Sequence, residues 1–522
     1  MPISTTDVLI VGAGPTGLVL ALWLSKLGVK VRIIDKAAHA ATSTRALAVQ
    51  ARTLELYAQY DAQLADDVIG DGRKVVGFNA WAEGKRMFHV PLARVGEKTT
   101  PYPFIHVCSQ HDHERTLTVR LYEDFGISVE TQTELLGFKP STTTSDNGRL
   151  VARLARISGQ DEVEAKYVAG CDGSHSAVRK TLGISCPGGI YDQTFYVADI
   201  QGAGPTMDGH IHVCLDQADF LSILPFAEEG HARLVGTVRQ SEHPAGSSHA
   251  LSFDHVSRRA MDRMEIQVHD VNWFSAYRLH HRVADHFRQG RAFLLGDAAH
   301  VHSPVGGQGM NAGIGDAVNL AWKMAAVLAG DADDSLLDTY EEERAHFARR
   351  LVATTDRVFS LATREGWFAR FVRASIVPVI APILFSLPVV RRFMFRTVSQ
   401  ISLNYSGMSL SLGRVGSVTA GQRLPWVVVD GTSNHESLSS MRWQIHVYGY
   451  GTAATNPLLA WSKSRGVKLT VFEWTTECAS VGLTRNAVYV VRPDGYVAMA
   501  QDPVDIDAIE LYFDDRQIMI CS

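Results

Sequence analysis

The sequence predicts an α/β fold in several parts: a doubly wound, Rossmann-like parallel sheet, a strand-rich insert, and a separate C-terminal unit. Three observations predict it. A short apolar run, "DVLIV" (Asp7 to Val11), leads through glycines into a helical stretch and then a second β-branched run. The pattern changes to short alternating strands near "KVVGFNAWAEGKRMFHVPL" and again between about Ile190 and His280. After Gly413 a fresh strand-and-helix pattern begins. At 522 residues and 46% hydrophobic content, the chain is too long for one ordinary core, and two to four domains are expected.

The elements follow in order. "DVLIV" is a buried parallel strand, and "PTGLVLALWLSKLG" is a buried helix that Gly28 closes. "VKVRIID" (Val29 to Asp35) is the second strand, which completes a βαβ unit. "RALAVQARTLELYAQYDAQLADDV" is helical by period, as is "CSQHDHERTLTVRLYEDFG". "ISVETQTELLGFKP" and "RLVARLARI" read as a hairpin or meander. "EAKYVAGCDG" is a strand into a tight turn, and "SHSAVRKTLG" a helix with Ser174 as its N-cap. "RAFLLGDAAH" is a buried strand ending in Gly-Asp, and two long helices follow, "GIGDAVNLAWKMAAVLAG" and "LDTYEEERAHFARRLVATTDRVF". In the last unit "RLPWVVVDG", "WQIHVYGY", "VKLTVFEW" and "AVYVVRPDGYVAM" are strands.

Composition excludes some classes. Charged residues make up 20%, so wholesale disorder is not expected. The net charge of -5 and the lack of a polybasic run argue against nucleic acid as a partner. Six scattered cysteines with no CxxC pair suggest reduced thiols, and no signal-peptide pattern precedes the first strand, so a cytoplasmic location is expected. "FVRASIVPVIAPILFSLPVV" (Phe371 to Val390) is apolar enough to raise a membrane contact, especially beside Arg391. Its prolines, Pro378, Pro382 and Pro388, favour a pair of short broken helices packed against the protein.

Three motifs carry the chemistry. "GAGPTG" fits G-x-G-x-x-G: Gly12 allows the tight turn, Gly14 lets backbone approach a pyrophosphate, and Gly17 lets helix pack on sheet. Asp35 closes the second strand, where a carboxylate accepts from ribose hydroxyls. This context makes a dinucleotide site, FAD or NAD. "GCDGSHSAVRK" puts Asp172 at another strand end. "GDAAHVHSPVGGQGMN" (Gly296 to Asn311) puts Asp297 at a third, followed by dense glycine and a helix start with positive partial charge. "HVH" (His300, His302) and "HDH" (His111, His113) lack a companion ligand set, so loop or surface histidines are expected and no metal.

Together "GAGPTG", "CDGSHSAVR" and "GDAAHVHSPVGGQGMNAGIGDAVNLAWK" resemble the group A flavoprotein aromatic monooxygenases, the p-hydroxybenzoate and phenol hydroxylase class. The likeness is to the branch with polyketide and rifampicin hydroxylases, and "RLPWVVVDG" and "YVVRPDGYVA" resemble its C-terminal thioredoxin-like domain. The resemblance implies a Rossmann-like FAD-binding domain (1–75, 105–190 and 281–355), an inserted β-sheet substrate domain (76–104 and 191–280), a helical linker (356–412) and a thioredoxin-like domain (413–522).

It also implies roles. Gly12, Gly14 and Gly17 would seat the FAD pyrophosphate, and Asp35, with Lys36 beside it, would bind the adenosine ribose. Arg45 would lie beside the flavin and is the candidate catalytic residue, and Gln110 would lie on the ribityl side. Asp172 would belong to a motif linked to FAD and NADPH, and Asp297 would hold the ribityl chain. Pro304 and the backbone of Gly309, Met310 and Asn311 would line the isoalloxazine ring, just before the helix start. NADPH or NADH would visit transiently, and O2 would give a flavin C4a-hydroperoxide that hydroxylates an aromatic or polycyclic small molecule. Secondary metabolism or aromatic degradation would suit such an enzyme, acting as a monomer or homodimer. No acid matches the phenol hydroxylases' base near "TRALAVQ"; Arg45, Tyr102 or Arg239 would bind a phenolate. Epoxidation and Baeyer–Villiger oxidation share the chemistry, and a flavin-binding protein without turnover is the alternative from another class. The halogenase stretch W-x-W-x-I-P is absent, "VNWFSAY" being nearest. Cys478 has no CxxC partner, so a structural role is expected for its domain.

Overall fold

The computed structural model describes residues 3–39, 47–141, 148–216, 219–226, 228–238, 251–256, 258–302, 307–363, 376–449 and 452–520. Arg45, Arg239 and Pro304 lie outside the described residues. The fold is mixed α/β.

The first sheet runs in the order 288–289, 292–294, 159–170, 4–11, 31–34, with 134–140 and 150–156 added antiparallel beside 159–170. Its central strands are parallel and in register: Val11 pairs with Gly170 and with Ile34, and Gly170 pairs with Leu294. Four strands thus end level at one edge, and the chain leaves each into a turn. The Pro15–Lys26 helix covers the sheet with Leu18 to Leu24 buried in an unbroken run, which explains its apolar residues on every side. Leu27 and Gly28 close it, Gly28 at φ +81°.

The second sheet has eight strands, in the order 300–301, 267–283, 188–203, 231–238, 219–225, 211–216, 77–82, 85–91. The strand-rich stretches before and after the helical middle of the chain therefore meet in one sheet. A third sheet of four strands, 468–472, 444–448, 488–491 and 497–501, organises the C-terminal unit. The "RLPWVVVDG" stretch is not a strand of it: Arg423 makes an isolated bridge to Tyr496, and Val428–Val429 pairs with Thr432–Ser433, because the turn at Asp430-Gly431 folds the chain straight back.

That unit is welded to the rest. Trp322, on the Gly309–Ala329 helix, meets Trp443 edge-on at 5.6 Å. Beneath them lies a buried ionic chain: Lys323 Nζ donates to Glu343 at 2.8 Å, and Arg492 binds both Glu343 and Asp494. Burial opposes the Glu343 charge, but Arg492 and Lys323 overcome it and hold the carboxyl down at about 2. Removing one member would strand a charge in the interior, which costs far more than the intact pair gains.

Several expectations are corrected. The long helix after residue 45 is instead a two-residue strand, Ala48–Val49, then helices Ala51–Tyr60 and Ala62–Gly70. Asp61 breaks the run because its side chain accepts from Gln63 N as an N-cap, which needs extended backbone. The N-cap near residue 175 is Ser176, not Ser174, since Ser176 Oγ accepts from Arg179 N at 2.9 Å. His113, His300 and His302 are buried, not surface residues: His113 Nε2 lies 2.8 Å from Tyr57 Oη and His300 Nε2 lies 2.8 Å from Asp316 Oδ2. The apolar stretch does form a Pro-broken pair, Val377–Ser386 and Pro388–Val398, bent by 93°. Its first helix, however, buries no residue. No single helix among the described residues is long and apolar enough to cross a membrane.

Candidate functional site

The level edge of the first sheet gathers the three motifs. After Val11 comes Gly12, at φ +104°, whose added Cβ would strike Cys171 O at 2.3 Å. A side chain is thus excluded by both conformation and the neighbouring strand end. Gly17 is closer still: its Cβ would lie 2.0 Å from Gly12 O, so the helix can start only if this residue is bare. Gly14 differs. A Cβ there would meet nothing nearer than Glu114 Oε1 at 3.9 Å, so the space over the helix N-terminus is open. Gly14 supplies no side-chain cap and Pro15 follows at the first turn, leaving free N–H groups aimed into that space.

Around this opening stand carboxylates. Asp35 Oδ2 accepts from Ala13 N at 2.7 Å and Oδ1 from Ala37 N at 2.8 Å, which clamps the second strand's end against the glycine turn. Lys36 beside it is exposed. Asp172 Oδ2 accepts from Ala177 N and Val178 N, at 2.6 and 3.1 Å, and so caps the short Ala177–Leu182 helix. Its Oδ1 is buried without a partner. Asp297 is exposed, in the one-turn helix Gly296–Ala298 that leaves the 292–294 strand. Gln110 opens the Gln110–Phe125 helix and donates to Glu114 Oε1 at 2.7 Å.

Glu114 is a site residue that sequence reasoning missed. Burial raises its pKa to about 7, against the Gln110 hydrogen bond and with help from Asp35. The signal was an acid on the inward face of a helix beside Gln110, hidden among neighbouring charges in "HDHER".

The second helix start corrects the expected boundary. The helix runs Gly309–Ala329, so Gly309, Met310 and Asn311 are its first turn and do not precede it. Gln308 gives no side-chain cap, so their N–H groups lack intrahelical acceptors. The Asn311 side chain is fully engaged: it donates to Ala48 O and Gly307 O and accepts from Gln50 N and Thr53 Oγ1, all within 2.8 Å. The side chain thereby fixes the 48–53 strand and helix start beside the turn. The two helix starts are neighbours, because Thr16 wedges between Gly296 and Gly313; a Cβ on Gly313 would lie 2.3 Å from Thr16 Oγ1.

Under the Gly296 turn lies a second missed group. Asp316, fully buried, accepts from Gly296 N at 2.9 Å and His300 Nε2 at 2.8 Å through Oδ2. Its Oδ1 takes Arg344 Nε at 2.6 Å, and Arg344 continues to Ala312 O and Tyr405 Oη. Burial opposes the Asp316 charge, but Arg344 and then His300 keep its carboxyl below the ordinary value. An acid within the otherwise apolar "GIGDAVNLAW" was the visible signal; its arginine partner 28 residues on was not.

Among the described residues, no group of three His, Cys, Asp or Glu side chains is placed to hold a metal ion. Cys478 is buried and has no cysteine partner among them.

Two uncapped helix starts, an open glycine turn, an orphan Asp172 oxygen and strand-end acids fit a long, phosphate-bearing cofactor. The family described as FAD binding domain matches residues 5–355. The chain belongs to this family of flavin-dependent monooxygenases. Its cofactor is FAD. Over 94% of its length and 90% of the relative's it is 32% identical to the 6-methylpretetramide 4-monooxygenase of Streptomyces rimosus. It is 29% identical to the rifampicin monooxygenase of Rhodococcus hoagii, over 95% of both chains. The solved OxyS anhydrotetracycline hydroxylase from Streptomyces rimosus superposes with a TM-score of 0.76 at 26% identity, covering 98% of this chain and 99% of that one. This flavoprotein therefore shares an architecture with these enzymes from end to end.

Proposed function

We propose that this flavoprotein uses NADPH or NADH and O2 to hydroxylate an aromatic or polycyclic small molecule, in secondary metabolism or aromatic degradation. The observation that carries the reading is the convergence of all three motifs on one sheet edge, in a chain alike over its whole length to tetracycline and rifampicin monooxygenases. When bound, FAD carries the electrons from the nicotinamide to O2 and delivers one oxygen atom to the substrate, the other leaving as water.

The motifs and the likeness to the family support the following division of work among the residues. The N–H groups at the helix start after Gly14 would hold the diphosphate, Asp35 and Lys36 the adenosine ribose, and Gln110 and Asp297 the ribityl chain. The first-turn backbone of Gly309, Met310 and Asn311, with Pro304, would hold the flavin ring, and the helix N-terminus would favour negative charge there. Arg45 stands as the charged residue for substrate or flavin, and Asp172 for the nicotinamide approach. The substrate lies against the apolar cluster that includes Leu47, Ala48, Phe78, Tyr102, Leu224 and Phe226, between the flavin edge and the eight-stranded sheet. Tyr102, whose phenol burial pushes up to about 12, stays protonated and donates to a substrate oxygen. The sheets support domains at 1–75, 105–190 and 281–355 for FAD and 76–104 and 191–280 for substrate, a linker at 356–412, and a thioredoxin-like unit at 413–522.

The test is anaerobic reduction of the FAD-loaded protein by NADPH or NADH, with a panel of phenols, quinones and polyketide-like aromatics. The expected result is that one class accelerates bleaching and yields an oxygenated product on admitting air. If no nicotinamide bleaches the flavin with any compound, the proposed activity fails and a binding protein replaces it.

A further inference from the structure

The Val377–Ser386 and Pro388–Val398 helices back the apolar cluster at the proposed substrate wall through Phe385 and Phe395, yet their outer faces expose a dense set of large apolar residues. On the first, Val379, Ile380, Ile383 and Leu384, with Leu387 just past its end, are 45 to 62% exposed. Their spacing puts them on one stripe of the helix. The opposite side is anchored: Phe385 stacks on Phe88 at 4.0 Å, and Phe395 of the second helix is buried. Past the bend, Val389 and Phe393 extend the patch at 71 and 70% exposure. A soluble surface does not leave so contiguous an apolar patch without a partner.

The charges select the partner. Residues 376–398 contain Arg391, Arg392 and Arg396 and no acid. The segment they pack on, 83–98, adds Lys85, Arg86, Arg94 and Lys98 against Glu83 and Glu97. The two packed segments are thus basic in composition on a chain whose net charge is -5. A second copy docked through a two-fold axis would bring the arginines toward each other with no acid in the segment to meet them. An anionic bilayer surface satisfies both parts: acyl chains take the apolar stripe and headgroups take the arginines. Ten residues of helix span about 15 Å, half a hydrocarbon core, so the element lies on the surface and does not cross it. We infer that the 377–398 helix pair docks this enzyme onto an anionic lipid surface.

The test floats the FAD-loaded full chain with vesicles of phosphatidylcholine alone and of phosphatidylcholine with phosphatidylglycerol. Flotation is expected only with the anionic vesicles and should fall with salt. Each arginine near such a surface contributes about fivefold, so Arg391→Gln with Arg392→Gln lowers partitioning about 25-fold at low salt. Ile383→Asp with Leu387→Asp, at exposed positions, abolishes it, while circular dichroism and FAD content report an unchanged fold. No flotation with anionic vesicles, or equal flotation with neutral ones, overturns the inference. So does a dimer in light scattering that the Ile383→Asp, Leu387→Asp variant turns into monomer, which assigns the patch to a second copy.

Discussion

Replacing Glu114 by glutamine should make the FAD-free protein more stable, and only at neutral and alkaline pH. Glu114 is 6% exposed, and burial lifts its carboxyl from the ordinary 4.5 to about 7. Below about pH 4.5 folded and unfolded chains both carry the proton and nothing is lost. Between 4.5 and 7 the folded chain keeps a proton that the unfolded chain has released, so stability falls as pH rises. Above about 7 the deficit is complete. At about 1.4 kcal/mol per pH unit, that gap amounts to about 3 kcal/mol. Glutamine keeps an oxygen for Gln110 Nε2 and has no charge to desolvate. Thermal unfolding of FAD-stripped wild type and Glu114→Gln at about pH 4 and about pH 8.5 reads the difference: near zero at the lower pH, a few degrees in the variant's favour at the higher. A difference that is the same at both pH values would refute the reasoning, because a packing effect does not titrate. Bound diphosphate adds negative charge to the same pocket, so FAD affinity should weaken with rising pH in wild type and stay flat in the variant.

Gly14→Val and Gly17→Ala should separate cofactor binding from folding. The first enters open space and leaves the FAD-free melting midpoint nearly unchanged while FAD retention drops at least about a hundredfold; the second, with a Cβ 2.0 Å from Gly12 O, fails to fold, as circular dichroism will show. Asp316→Asn leaves the buried Arg344 charge without its counter-ion and should cost about 3–5 kcal/mol in urea unfolding. Adding Arg344→Met should recover part of that loss, and no recovery would mean the pair is not the source.

The motifs were legible because each rests on local geometry that a sequence must spell out. A tight turn at positive φ writes itself as glycine, and a strand that alternates or runs apolar before it marks the sheet edge. Gly12, Gly14, Asp35, Asp172 and Asp297 were all found that way, and the parallel register brings their strand ends level. What stayed hidden is pairing across distance. Arg344 looks like one more charge in "EEERAHFARR" until the fold places it under Asp316, and Glu343 beside it serves a different partner, Arg492, 149 residues away. The split at Asp61 was equally invisible by period, since one capping carboxylate outweighs a continuing helical pattern.

The glycine-dense stretch after Gly296 shows why a motif should be taken apart residue by residue. Read as a unit, it suggests bare backbone under a flat ring. In the structure its glycines answer different demands. Gly296 has φ +57° and, like Gly313, is small because Thr16 fills the space between the two helix starts. Gly307, at φ +60°, is small because Ala48 presses against it. Among the described glycines of the stretch Gly309 alone has room, its nearest neighbour being His302 at 3.6 Å. Close packing thus accounts for three of these positions without any ligand, and that packing sets two uncapped helix N-termini side by side. The closeness of the two uncapped helix starts is a consequence of how tightly the helices approach, and Gly309 is a position where packing leaves the backbone bare.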